Sequence, residues 1–148
     1  MNKIIIAFTA LICFSAISCH FNSTYENRDI DKEDGEKIVA QFYESLQSND
    51  YKKTYIFFDK QFFEVTDTQK LNHIYDISFG KLGKIESYNI EEWQTTAIVG
   101  TDSKTNYRFV CNVKRSNFMS KETLIFLKES KGIKIISYHV NSEGFFEK

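Results

Sequence analysis

The chain has 148 residues, with 19 basic against 20 acidic side chains and a formal charge of −1. That length suits one folded domain rather than two, and the near balance of charge excludes the basic excess on which nucleic-acid binding relies. With 14 Phe and 8 Tyr and only three cysteines, any fold must rest on an aromatic core rather than on a disulfide framework.

The chain opens Met1-Asn2-Lys3 and then runs from Ile4 to Ile17 without a charge. One cation, an apolar stretch and then small residues make the pattern of a secretory signal peptide. The apolar stretch partitions into the bilayer, Lys3 stays on the cytoplasmic side, and small side chains admit the peptidase. The run ends at Ser18-Cys19-His20, short of the roughly twenty apolar residues that a spanning helix needs.

Ala16-Ile17-Ser18-Cys19 resembles the lipobox of bacterial lipoproteins. The resemblance implies cleavage just before Cys19 and acyl chains, such as palmitate, on its thiol. It also implies membrane attachment in the cell envelope, on the periplasmic or the surface face. Leucine is usual in that family where this chain has Ala16, but small residues at Ala16 and Ser18 followed by cysteine satisfy the pattern. Three other readings fit the same residues: an ordinary thiol after a conventional cleavage site, an uncleaved anchor, or a buried helix of a cytosolic protein. Leader length, charge and cysteine position together favour the lipoprotein. Residues 1–18 are then the leader, and losing Lys3 leaves 18 basic against 20 acidic side chains. Cys13 departs with the leader, so Cys111 remains without an internal disulfide partner.

Residues 19–34 are polar and aperiodic and read as a flexible acidic tether. Asp31, Glu33 and Asp34 suit solvated linker, or a sorting signal of the kind some surface lipoproteins carry. The domain is expected over 35–148. Ile38, Val39, Phe42, Tyr43 and Leu46 share one face of a helix over 35–48. A short helix fits 50–58, with Asp50 as N-cap, and Phe62 and Phe63 lie in a segment of undecided state. A third helix fits 67–79, started by Asp67 or Thr68, with Leu71, Ile74, Tyr75 and Ser78 on one face and Gly80 and Gly83 as the stop.

After Gly83 the pattern turns to strands, over 84–99, 105–115, 119–128 and 132–141. Gly100-Thr101-Asp102-Ser103 and Glu129-Ser130-Lys131-Gly132 suit hairpin turns. Helices followed by a meander predict an α+β fold: N-terminal helices packed on one face of a curved, roughly four-stranded antiparallel sheet.

This order over 35–142 resembles the nuclear transport factor two-like superfamily, a cone-shaped α+β fold. The likeness rests on Phe42 and Tyr43, on Asp50-Tyr51 leading into Phe57-Phe58-Asp59, on Leu82-Gly83-Lys84, and on Gly132 to Tyr138, where Ile133 replaces a frequent tryptophan. That superfamily holds both enzymes and binding modules, so the likeness assigns no activity. Its enzymes place an Asp, His or Tyr inside the cone, which turns attention to Tyr75, His139, His73 and Asp76.

His73 and Asp76 fall away from the Leu71–Tyr75 face and should meet solvent. His139 sits near a strand end, where a surface histidine is the commoner case. Trp93 either lines a ligand site or packs on the sheet. Cys111, between Phe109 and Val113, reads as a buried inert thiol. No two histidines have metal-ligand spacing, and no nucleophile elbow or phosphate loop is present, so no cofactor or metal is expected. The sequence therefore points to a lipid-anchored, non-catalytic module for a small apolar ligand or an envelope protein partner, with a homodimer also open. The alternative is a cone enzyme doing acid–base chemistry of isomerase, dehydratase or hydrolase type through Tyr75 or His139.

Overall fold

The computed structural model describes residues 22–147. The leader, the cleavage site and Cys19 lie outside the described residues. Within them the order is β1 (Ser23–Glu26), α1 (Asp29–Gln47), α2 (Tyr51–Thr54), a 3-10 turn (Tyr55–Phe57), α3 (Lys60–Val65) and α4 (Thr68–Ile77). A π turn (Ser78–Leu82) leads into β2 (Ile85–Val99), β3 (Lys104–Arg115), β4 (Met119–Glu129), β5 (Gly132–Asn141) and a last 3-10 turn (Glu143–Phe145). The fold is α+β, and its open antiparallel sheet runs in the order β1-β2-β3-β4-β5.

The four expected strands are present with nearly the expected limits, but the sheet has a fifth. Ser23 to Glu26 pair with Val99 to Thr96, so the stretch read as a flexible tether adds an edge strand to β2. Asn27 then turns the chain with φ of 50°, donating its backbone N–H to the Thr95 carbonyl while its own Oδ1 accepts from Thr95 N at 2.9 Å. Short polar side chains tolerate this left-handed geometry.

The second correction concerns α1, which begins at Asp29 instead of 35. Its acidic start is structural. Asp29 and Asp31 lie in the first turn, where a helix N-terminus favours negative charge. Asp31 is buried and accepts from Arg28 Nε at 2.6 Å and Nη2 at 2.9 Å. Asp34 binds Lys128 of β4 at 2.8 Å, and this cation holds its carboxyl below the usual range. Asp34 thereby fastens the helix to β4, while Asp31 pairs with the residue that caps its own helix. Gly35 interrupts the apolar pattern because a Cβ there would stand 2.4 Å from Phe109 Cε2.

The other helix starts follow their caps. Asp50, Asp59 and Asp67 accept from the backbone N–H groups of Lys53, Gln61 and Lys70. The segment around Phe62 and Phe63 is the helix α3. Gly80 does not stop α4, because the chain continues through the π turn to Gly83, whose φ of 87° ends it.

The sheet's inner face alternates into the core. Across it run the rows Trp93–Phe109–Leu124–Tyr138 and Ile90–Cys111–Glu122–Val140. From α1, Val39, Phe42 and Tyr43 meet these rows fully buried. Phe42 makes edge contacts with Tyr43, Phe57, Phe58 and Tyr138 at centroid separations of 5.3 to 6.3 Å. Such pairs contribute roughly 0.5–1.5 kcal/mol each beyond simple burial. A parallel bridge between Phe58 and Ile135 ties the short helices to β5. Register shifts interrupt β2 between Ile85 and Ser87 and between Ile90 and Glu92, and β4–β5 pairing near Ile125. Bulges of this kind bend strands.

Candidate functional site

The three side chains singled out as pocket residues do not converge. Tyr75 of α4 is buried, and its hydroxyl donates to Thr54 Oγ1 at 3.0 Å. Burial raises its phenol far above the ordinary range, which makes it a poor proton donor. His139 stands exposed on the outer face of β5, its Nε2 3.0 Å from Ser137 Oγ. Trp93 is half-buried on the inner face, packed against the core, with Lys32 Nζ 5.2 Å from its ring centroid. That is a cation–π contact between helix and sheet. Only Tyr75 lines the cavity described below. His73 and Asp76 are exposed, and Cys111 is fully buried, its thiol pushed up to about 12 by burial. Such a thiol is protonated and inert at neutral pH.

The polar centre of the domain is a carboxylate the sequence reading passed over. Glu122 of β4 has no exposed surface. Its Oε1 accepts from Arg115 Nη2 at 2.7 Å and from Ser120 Oγ at 2.9 Å; its Oε2 accepts from Tyr138 at 2.7 Å and Tyr43 at 3.1 Å. Arg115, itself buried, also donates from Nε to Ser120 Oγ and from Nη1 to the Gly83 carbonyl. Burial and the neighbouring Glu122 charge hold the Tyr43 and Tyr138 phenols well above their usual range. The four donors account for the four acceptor positions of the carboxylate. Satisfied in this way, the group is an anchor for β3, β4, β5 and α1 and has no valence left for a substrate. The clue was alternation. Glu122 shares its side of β4 with Ser120, Leu124 and Phe126, and Arg115 shares its side of β3 with Cys111 and Val113.

Beside Arg115 a cavity of about 80 Å³ opens between Leu46, Tyr51, Tyr75, Ser78, Phe79 and Lys84. Ser78 Oγ is buried there without a hydrogen-bond partner. The space has room for about two or three waters, far below the 300–1,000 Å³ typical of small-molecule pockets.

The same end of the domain carries an aromatic surface. Three segments meet there: the π turn, the β3–β4 turn and the chain after β5. Asn117 N and Phe118 N donate to the Leu82 carbonyl, and Lys81 Nζ donates to the Phe145 carbonyl at 2.9 Å. Gly144 lets the Phe118 ring lie flat, since a Cβ would meet it at 2.5 Å. Each segment leaves an apolar side chain in solvent: Phe79, Phe118 with Met119 (56% exposed), and Phe146 (86%). Beside them lies an open hollow bounded by Phe118, Met119, Ser142 and Gly144.

No family model matches this chain, and comparison with curated proteins finds no relative. Among the described residues no cluster of His, Cys, Asp and Glu could hold a metal, and no helix is long and apolar enough to cross a membrane.

Proposed function

We propose that the protein is a lipid-anchored cell-envelope module that binds a protein partner through the aromatic end formed by Phe79, Phe118, Met119 and Phe146. The filled interior carries this reading. Phe42, Tyr43, Phe109, Leu124 and Phe126 are fully buried, and the cavity beside Arg115 holds only about 80 Å³. That volume leaves little space for an apolar ligand beside Arg115, whereas exposed aromatic and methionine side chains are what protein interfaces concentrate. The partner's matching face is therefore apolar. The same filling, with His139 outside and the Tyr75 hydroxyl committed to Thr54, supports a binding role over acid–base chemistry. The leader and Cys19 support the anchor. The helices-then-meander order supports a place in the nuclear transport factor two-like superfamily, with β1 as an added edge strand.

The test is site-specific photo-crosslinking in cells, with the reactive residue at Met119, at Phe146 or, as control, at His139. The proposal expects one adduct of the same mass from Met119 and Phe146 and little from His139. Equal adducts at all three positions, or none at Met119 and Phe146, overturn it. An adduct of twice the monomer mass identifies a second copy of this chain and replaces the heterologous partner.

A further inference from the structure

We infer that the end of the domain carrying the β2–β3 and β4–β5 turns is held against the lipid headgroup layer, so that the aromatic end points away from the membrane. The inference rests on acylation of Cys19. It follows from how little chain separates that residue from the folded body. Asn22 accepts a hydrogen bond from Thr101 N through its Oδ1 at 3.1 Å, and Ser23 is paired with Val99. His20, Phe21 and Asn22 alone lie between Cys19 and β1. Fully extended, they place Ser23 at most about 14 Å from the cysteine. The turn Gly100–Ser103 therefore sits at the membrane surface, whatever path those residues take.

The antiparallel register carries the constraint across the sheet. Ser23 lies opposite Val99, Thr105 opposite Lys128, and Glu129 opposite Gly132, which brings the β4–β5 turn to the same end as the β2–β3 turn. The 15 residues of strand β2 then extend from Val99 at the bilayer back to Ile85, about 45 Å at ~3.3 Å per residue. At its far end lie Arg115, the cavity and the three aromatic segments.

The near end suits this position. Tyr25, Ile30 and Val99 are exposed around the start of β1 and α1, and aromatic and aliphatic side chains are tolerated at a headgroup interface. The turn residues Lys104 and Lys131 are offset by Asp102 and Glu129, all exposed. Contact is thus imposed by the short tether and not by charge, so it persists at high salt, where screening removes electrostatic adsorption.

The experiment uses the full acylated chain in phosphatidylcholine–phosphatidylglycerol vesicles containing spin-labelled headgroup lipid. A fluorophore is attached at Asp102→Cys, Lys131→Cys or Phe146→Cys; buried Cys111 stays unlabelled. Quenching is expected to be several-fold stronger at 102 and 131 than at 146, at low and high salt alike. A flexible Gly/Ser insertion between Phe21 and Asn22 is expected to abolish the difference. Equal quenching at 102 and 146 in a sample whose intact mass shows the acyl adduct overturns the orientation and leaves the anchor standing. A sample without the acyl mass removes the anchor, and the orientation with it.

Discussion

Replacing Arg115 by Met tests the buried network, because the change strands a charge instead of merely deleting a contact. Glu122 is fully buried and keeps only the neutral donors Tyr43, Tyr138 and Ser120 once the guanidinium is gone. Leaving one partner of a buried ion pair uncompensated costs about 3–5 kcal/mol, a large share of the roughly 5–15 kcal/mol that holds a domain of this size together. Glu122→Gln alone should cost less, about 1–3 kcal/mol, since the Gln carbonyl still offers Arg115 an acceptor beside Ser120 and the Gly83 carbonyl, whereas Met offers Glu122 no donor. The double variant Arg115→Met with Glu122→Gln removes both charges while leaving an acceptor for the tyrosines. Its loss should fall short of the sum of the two single losses by about 1–3 kcal/mol, a coupling of the size expected for contacting residues. Urea titrations followed by the fluorescence of Trp93, the single tryptophan, give each free energy, provided the slope m is unchanged. A double variant whose loss equals the sum of the two single losses would refute the claim that a stranded carboxylate dominates.

Gly35→Ala should destabilise by about 1–3 kcal/mol, although alanine in a helix interior is ordinarily favourable by about 1 kcal/mol. The added Cβ meets the Phe109 ring, and thermal melting reads the sign. Stability should also fall as pH rises from about 9 to 12. The unfolded Cys111 thiol ionises near 9.0 while burial keeps the folded thiol protonated to about 12. The folded state therefore binds more protons across that window, and each such group removes about 1.4 kcal/mol per pH unit. Cys111→Ala should flatten the decline between pH 9 and 12, measured as urea midpoints, with the steeper loss from Tyr43 and Tyr138 remaining above pH 10. Met119→Ser with Phe146→Ser should leave the urea midpoint nearly unchanged, because both side chains are solvent-exposed, while abolishing the partner adduct formed in cells from a reactive residue placed at Phe79.

Much of the fold was legible because its signals are local. Asp50 and Asp67 start their helices by capping a backbone N–H, and the β strands alternate with a period of two after Gly83. Residues 22–34 hide their structure for a physical reason. Their acids look solvated in sequence, yet Asp31 and Asp34 are matched by Arg28 and Lys128, the latter 94 residues away. Gly35 looks like a break, yet it is the place where α1 crosses Phe109. Arg28 is local to Asp31, but no local pattern encodes Lys128 or Phe109 as partners. Trp93 and His139 are residue types that often do chemistry, and alternation by itself separates them, inner face from outer. Glu122 and Arg115 were within reach of the same argument, since each interrupts an inward apolar series with a charge. The aromatic end was not, because Phe79, Phe118 and Phe146 come together only through the backbone bonds joining three distant turns.

The most direct measurement is the intact mass of the protein extracted from the membrane fraction. The account predicts a chain that begins at Cys19 and carries diacylglycerol on that residue, with or without an amide-linked acyl chain. An unacylated Cys19, or a chain still starting at Met1 in the soluble fraction, would contradict it.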